Sequence, residues 1–322
     1  MRIRLWVCLV VVLVGQSVWG QVKMPSETRN AALRYWQAFA ELKDPPASAE
    51  TKVAMAKILN LGAGWDEAAL GGIVAENETA LGIMHRATKL PECDWGLEYS
   101  QGPKASAAFF PRAHVLAQLN TLGGIREFHQ GRMQDAVDTW VAGIRFGQDV
   151  ANGGSLVFAL TAKGILLQEM KIMIAQAKQG RFSAAQKKQL VAAVSALPED
   201  GFDWGLAWEM DEAGSDVFFA ELQHSQKPAS FFESLMGEAA PKDCMPPKAE
   251  EMKLYREYMG DVANALRSPP PAAKQRLIDM GGKAEAICET LRKTIPNADR
   301  VNDARVEMIA TRKELLNLLA AR

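Results

Sequence analysis

The side chains best suited to chemistry occur in two matching segments. Leu90-Pro91-Glu92, one residue, then Asp94-Trp95-Gly96-Leu97 recurs as Leu197-Pro198-Glu199, three residues, then Asp203-Trp204-Gly205-Leu206. Glu98 and Tyr99 follow the first copy; Trp208, Glu209 and Asp211 follow the second. Two readings suit these residue types. In one, Asp94 and Asp203 are helix N-caps, whose short carboxylates accept a backbone N–H at the positive end of the helix dipole. Trp95 with Tyr99, and Trp204 with Trp208, are then i, i+4 aromatic pairs that fasten each helix start to the core. In the other, both segments line a shared cleft in which aromatic rings stack an apolar or sugar face and Glu92, Glu98, Glu209 and Asp211 supply acceptors. The candidate ligand-binding set is Asp94, Trp95, Glu98, Tyr99, Asp203, Trp204, Trp208, Glu209 and Asp211. Paired carboxylates also admit a glycoside hydrolase, which needs one acid of raised pKa and one ionised partner about 5 to 10 Å apart. The spacing fixes no such separation and singles out no catalytic residue.

Other chemistries leave less trace. The histidines, His85, His114, His129 and His224, are scattered, and neither an HExxH nor a Cys-x-x-Cys occurs, so no metal site is expected. No Gly-x-Ser-x-Gly elbow, phosphate loop or dinucleotide fingerprint points to a cofactor. Gly153-Gly154-Ser155 reads as a helix stop followed by an N-cap, with an anion site on free N–H groups as the alternative. Beyond residue 20 the cysteines are Cys93, Cys244 and Cys288. An oxidising compartment suits one disulfide and one free thiol, with three pairings open. Cys244 with Cys288 is favoured, since it would tether the proline-rich loop Pro241–Pro247 to a helix; the alternative is three buried small apolar side chains.

Helices must position these residues. From Thr28 onward apolar residues return at helical period and no stretch alternates long enough for a sheet, so the fold class is all-α: stacked antiparallel helical hairpins, roughly ten helices. The first follows Asn30, carries Leu33, Trp36, Phe39 and Ala40 on one face, and ends before Asp44-Pro45-Pro46. Others are expected over 48–60, over 72–88 with Ile73, Ala80, Met84 and Ala87 inward, from first-turn Pro111 to His129, over 133–150 and over 155–178. Ser183 with Gln186 forms a capping box that opens a helix to Ala196. Helices over 203–223, 248–267, 270–293 with a soft spot at Gly281-Gly282, and 298–320 complete the set, the last with Val301, Ala304, Met308, Leu315, Leu318 and Leu319 on one side. Residues 224–247 read as a long loop with a short helix around Phe231–Met236, a candidate lid. The domain plan is one all-α unit over 21–322, with a subdivision into 21–110, 111–223 and, after the loop, 248–322.

The recurring segments are consistent with an internal duplication. Gly131, Met133, Ala136, Trp140 and Gly143, with Gly124 in the preceding helix, resemble the tetratricopeptide alternation of small and large residues, and Ala80, Met84 and Ala87 follow it more loosely. That spacing covers about two hairpins and implies hairpin packing, not a repeat array. The run Ala32-Leu33-Arg34-Tyr35-Trp36, the stretch Lys89–Tyr99, Gly153-Gly154-Ser155-Leu156 and the second Asp-Trp-Gly together resemble a group of exported, helix-rich bacterial proteins with no assigned function. The resemblance covers most of the chain and implies export and a helical fold, without a mechanism.

Residues 1–20 read as a signal peptide: Arg2 and Arg4, an apolar stretch Leu5–Val14, and Val18-Trp19-Gly20 before Gln21. The apolar run falls short of the about 20 residues of a membrane span, although Trp19 before the cut leaves an uncleaved anchor as the alternative. Without these residues, two of the 37 basic side chains and none of the 38 acidic ones are lost. A near-neutral surface without a basic run excludes nucleic acid and anionic membrane as main partners. The sequence therefore points to an exported, periplasmic or secreted, binding or scaffold protein for a peptide, protein or small-molecule ligand. The alternatives are a carboxylate-dependent hydrolase of envelope or extracellular glycans and a purely structural envelope component.

Overall fold

A computed structural model describes residues 28–61, 64–105 and 109–321; the expected signal peptide lies outside the described residues. Among the described residues the chain forms fifteen α-helices, one 3-10 helix and no strand. The first four helices are α1 (Ala31–Glu41), α2 (Ala49–Leu61), α3 (Glu67–Glu76) and α4 (Glu78–Ala87). After the 3-10 helix Tyr99–Lys104 come α5 (Phe110–His129), α6 (Met133–Ala151), α7 (Leu156–Ala177) and α8 (Ala184–Ser195). The remainder are α9 (Trp204–His224), α10 (Pro228–Met236), α11 (Ala249–Leu266), α12 (Pro270–Asp279), α13 (Gly281–Glu285), α14 (Glu289–Arg292) and α15 (Ala298–Ala320).

Local chemistry explains most boundaries. Asn30, Asp66, Asp203 and Asn297 each accept a backbone N–H from the first turn that follows, and Ser183 with Gln186 completes its capping box. The helix count exceeds the expected ten because two long stretches break. The stretch over 72–88 divides at Asn77, whose buried side chain accepts from Lys43 N at 2.8 Å and donates to Lys43 O and Ile73 O. The stretch over 270–293 becomes α12, α13 and α14. In α1 the expected face is rotated: Ala31, Ala32, Tyr35, Ala38 and Phe39 are buried, whereas Leu33 and Trp36 are 53% and 42% exposed. The alanines let α1 pack closely on α4, and Tyr35 is drawn inward by Asp149.

Two apolar cores result. The first is built from α1 to α8 and the C-terminal part of α15, with Met308, Leu315 and Leu319. The second is built from α9 to α12, α14 and the start of α15, with Val301 and Ala304. Helix α7 also serves both: Leu156 and Ala159 face the second core, and the rest of its buried face belongs to the first. Hence α7 and α15 tie two lobes into one body. At their seam Arg305 is buried yet satisfied, donating to Asp200 Oδ2 at 2.9 Å, Ser268 O at 2.7 Å and Asn302 Oδ1 at 3.3 Å.

Segment 224–247 is anchored, in contrast to the lid expected from its composition. Phe232 of α10 is fully buried in the second core, and Cys244 is joined to Cys288 by a disulfide with Cα atoms 6.3 Å apart. Beside that bridge, Asp243 accepts from Glu289 N at 2.9 Å and from the Thr290 hydroxyl at 2.8 Å, fastening the segment to α14.

Candidate functional site

The two Asp-Trp-Gly segments fold differently. Asp203 caps α9, accepting from Leu206 N at 2.8 Å, and Trp204 and Trp208 are buried beneath it. The Trp204 indole N–H donates to Asp200 O at 2.9 Å, and that of Trp208 has no partner. Asp94 caps no helix, which corrects the first reading. Asn30 clamps its backbone on both sides, accepting from Asp94 N at 2.9 Å and donating to Asp94 O at 2.8 Å. Its carboxylate instead accepts from Gly96 N at 2.9 Å, and Gly96, at φ 65°, turns the chain away from a helix. Trp95 is therefore no i, i+4 partner of Tyr99; it stacks on Phe109 at 4.1 Å and donates to Asp149 O at 2.7 Å.

That anchor delivers Tyr99 to the seam between the lobes. Tyr99 opens the 3-10 helix and its hydroxyl donates to Gly153 O at 2.8 Å, in the turn that precedes α7. Gly154 occupies the left-handed region at φ 83°, ending α6 so that α7 can start at once. From the other side Asp211 of α9 accepts from Leu156 N at 3.3 Å, satisfying a free donor at the start of α7. Between them lies a cavity of about 400 Å³, walled by Tyr99, Phe110, Phe158 and Met210 and bounded opposite by Thr294 and Pro296. Among the described residues Asp211 is the only charged side chain on its wall. Burial pushes that carboxyl up to about 6, against the opposing effect of hydrogen bonds from Leu156 N and Ser155.

Of the nine candidate residues, the structure brings Tyr99 and Asp211 together at this cleft. Asp94 and Glu98 are exposed on the preceding loop. Glu209 faces away in a two-pronged ion pair with Arg267, at 2.7 and 2.6 Å, which lowers its pKa. Two further cavities flank the seam. One of about 570 Å³ lies beside Pro269–Pro271; of its charged groups Arg305 is paired with Asp200 and Arg267 with Glu209, and the remaining one, Glu199, is exposed to solvent. The other, of about 430 Å³, lies across the Gly154 turn and includes Asp203, whose carboxylate is engaged as a cap. One cluster among the described residues has metal-ligand spacing, Asp243 with Cys244 and Cys288, but its sulfurs are joined and offer no thiolate.

Sequence reasoning missed a buried polar chain in the first lobe. Asn120 Oδ1 accepts from His85 Nε2 at 2.8 Å, and Asn120 Nδ2 donates to Thr139 O at 3.0 Å and Glu169 Oε1 at 2.9 Å. Thr121 Oγ1 lies 2.9 Å from Ala117 O and 3.1 Å from Glu169 Oε1, and accepts from Gln168 Nε2 at 2.8 Å. The single hydroxyl proton of Thr121 cannot serve both oxygens; a proton on Glu169 Oε1, donated to Thr121, removes that conflict, while Glu169 Oε2 is buried without a partner. Burial accordingly pushes Glu169 up to about 8. Gly143 completes the arrangement, because the carboxyl of Glu169 fills the space where a Cβ would stand. A legible signal existed: Glu169 is the one acid of α7, set in an apolar run. A second buried acid, Asp149, accepts from the Tyr35 hydroxyl at 2.6 Å and lies 3.1 Å from an Arg145 nitrogen. Cys93, the free thiol, sits beside it, half-buried and pushed up to about 12 by burial.

The chain matches no protein-family model, no curated protein and no solved structure.

Proposed function

We propose that this protein is an exported binding protein of the cell envelope that holds a ligand in the interlobe cleft. One observation carries the reading: Tyr99, downstream of the first Asp-Trp-Gly, and Asp211, downstream of the second, face one cavity where the lobes meet. About 400 Å³ lies within the range of small-molecule pockets, which are mostly apolar with a few polar groups that orient the ligand. The wall carries no histidine, lysine, arginine or cysteine and a single carboxyl among the described residues, so binding suits it better than the paired-acid hydrolysis of a glycoside. Export rests on the charged and apolar pattern of residues 1–20, and the mature chain is expected to begin at Gln21, which mass spectrometry of the exported protein checks.

The same proposal reads the scaffold as stacked helical hairpins. Consecutive helices α5, α6 and α7 pack on one another, and Trp140 of α6 lies against Gly124 of α5, where no Cβ fits. This is the small-large complementarity of the tetratricopeptide spacing. Gly214 supplies the test. It lines the cleft from α9, and a Cβ there meets nothing within 4 Å. Gly214→Phe is expected to fill the cleft while keeping the thermal midpoint, because phenylalanine favours a helix over glycine. Small aromatic and aliphatic fragments that bind the wild type, read by saturation-transfer NMR, should be lost in the variant. Retention of every fragment by a folded Gly214→Phe protein would sink the cleft as the binding site.

A further inference from the structure

Acids elsewhere in the molecule show what the cleft lacks. Glu209 is paired with Arg267, Glu67 with Arg126, Asp216 with Arg256, Asp200 with Arg305, and Glu307 with both Lys163 and Lys171. Even buried Asp149 has Arg145 within 3.1 Å. Asp211 is set into an apolar wall and among the described residues no cation acts on it: its polar neighbours are Leu156 N and the Ser155 hydroxyl. A half-buried carboxylate held by two neutral donors keeps most of its charge uncompensated in a medium where a countercharge would interact strongly. Around it stand the rings of Tyr99, Phe110 and Phe158 and the thioether of Met210, which present apolar surface and, at the ring faces, negative potential toward a cation.

We infer that the cleft takes a small organic cation, an ammonium group carried on an aromatic or branched aliphatic body, with the charge on Asp211 and the body among Tyr99, Phe110, Phe158 and Met210. The inference rests on the binding reading above and specifies its ligand class. Asp211 plays both parts without conflict, since an ionised carboxylate has about four acceptor sites and Leu156 N and the Ser155 hydroxyl occupy two of them. The other titratable group on the wall is the phenol of Tyr99, raised by burial and neutral at working pH, so Asp211 sets the charge of the site.

The test compares three probes of one shape, phenethylamine, phenethyl alcohol and hydrocinnamate, by isothermal titration calorimetry on the full mature protein. The amine is expected to bind about tenfold or more tightly than the alcohol, and the acid least of all. Asp211→Asn retains an oxygen for Leu156 N while removing the charge, and is expected to bring amine and alcohol to equal affinity. Wild-type protein offers a second readout that needs no variant. Lowering the pH from 7 to 5 protonates Asp211, whose carboxyl titrates at about 6, and should weaken the amine about tenfold while leaving the alcohol unchanged. If alcohol and amine bind the wild type equally and Gly214→Phe abolishes both, the cation claim fails and the cleft reading stands. If no probe binds, or if binding survives Gly214→Phe, both fail.

Discussion

The two lobes solve the problem of holding helices together by opposite means. In the first, long helices meet over an interior that contains polar side chains: Asn120, Thr121, Thr139, Asp149, Glu169 and Gln176 are all buried there. In the second, α12, α13 and α14 have 10, 5 and 4 residues, and among the described residues the interior holds no buried acid; the disulfide between Cys244 and Cys288 closes a separation of 44 residues. Helices so short are unstable unless packing or a covalent tie fixes them. The contrast is between a polar network that joins packed helices and a covalent tie beside the shortest ones. In the first lobe α7 sets Glu169 against Asn120 and Thr121, whereas in the second the bridge at Cys288 fixes the start of α14.

The sharpest way to break this comparison is to remove the staple. Cys244→Ser with Cys288→Ser is expected to cost the second lobe about 4 kcal/mol from the chain entropy of a loop of that length. Hydrogen exchange should accelerate first in α10 to α14 and leave α5 to α8 protected; uniform acceleration would mean the lobes unfold as one unit. Next in size is the pH response of the first lobe. Glu169 is raised from an unfolded value near 4.5 to about 8, so its contribution is fully present below 4.5 and is lost as the pH rises to about 8. Between pH 4.5 and 7 that amounts to about 3 kcal/mol. Denaturant melts of Glu169→Gln should lack this loss, and an unchanged slope would show that the carboxyl is ionised in the fold.

Smaller effects separate the two Asp-Trp-Gly copies. Asp203→Ala removes a helix cap and should cost about 1 kcal/mol. Asp94→Ala removes only an exposed loop hydrogen bond to Gly96, and is expected to cost about half as much or less. Equal losses in chemical denaturation would return the first copy to the capping role.

Those two copies also mark how far the sequence could be read. Asp203 was legible because its partner, Leu206 N, is three residues away, and the Ser183–Gln186 box and the Pro111 helix start are equally local. Asp94 was not, because the side chain that holds it out of a helix is Asn30, 64 positions away. The break at Asn77 is of the same kind, since Lys43 lies 34 positions away. The rotation of α1 follows from Tyr35 and Asp149, separated by 114 residues. Of the candidate site residues, Tyr99 and Asp211 line the cavity, whereas Asp203 caps a helix, Trp95 stacks on Phe109 and Glu209 is ion-paired with Arg267.

The amino-acid order alone determined the helical class and most helix starts, because periodicity, caps and prolines act within one or two turns of the backbone. Tertiary structure decided which acid stays uncompensated beside a cavity, which one is kept neutral in the interior and which cysteines meet. Charge state and exposure are properties of the surroundings, and those surroundings are assembled from segments far apart in the chain.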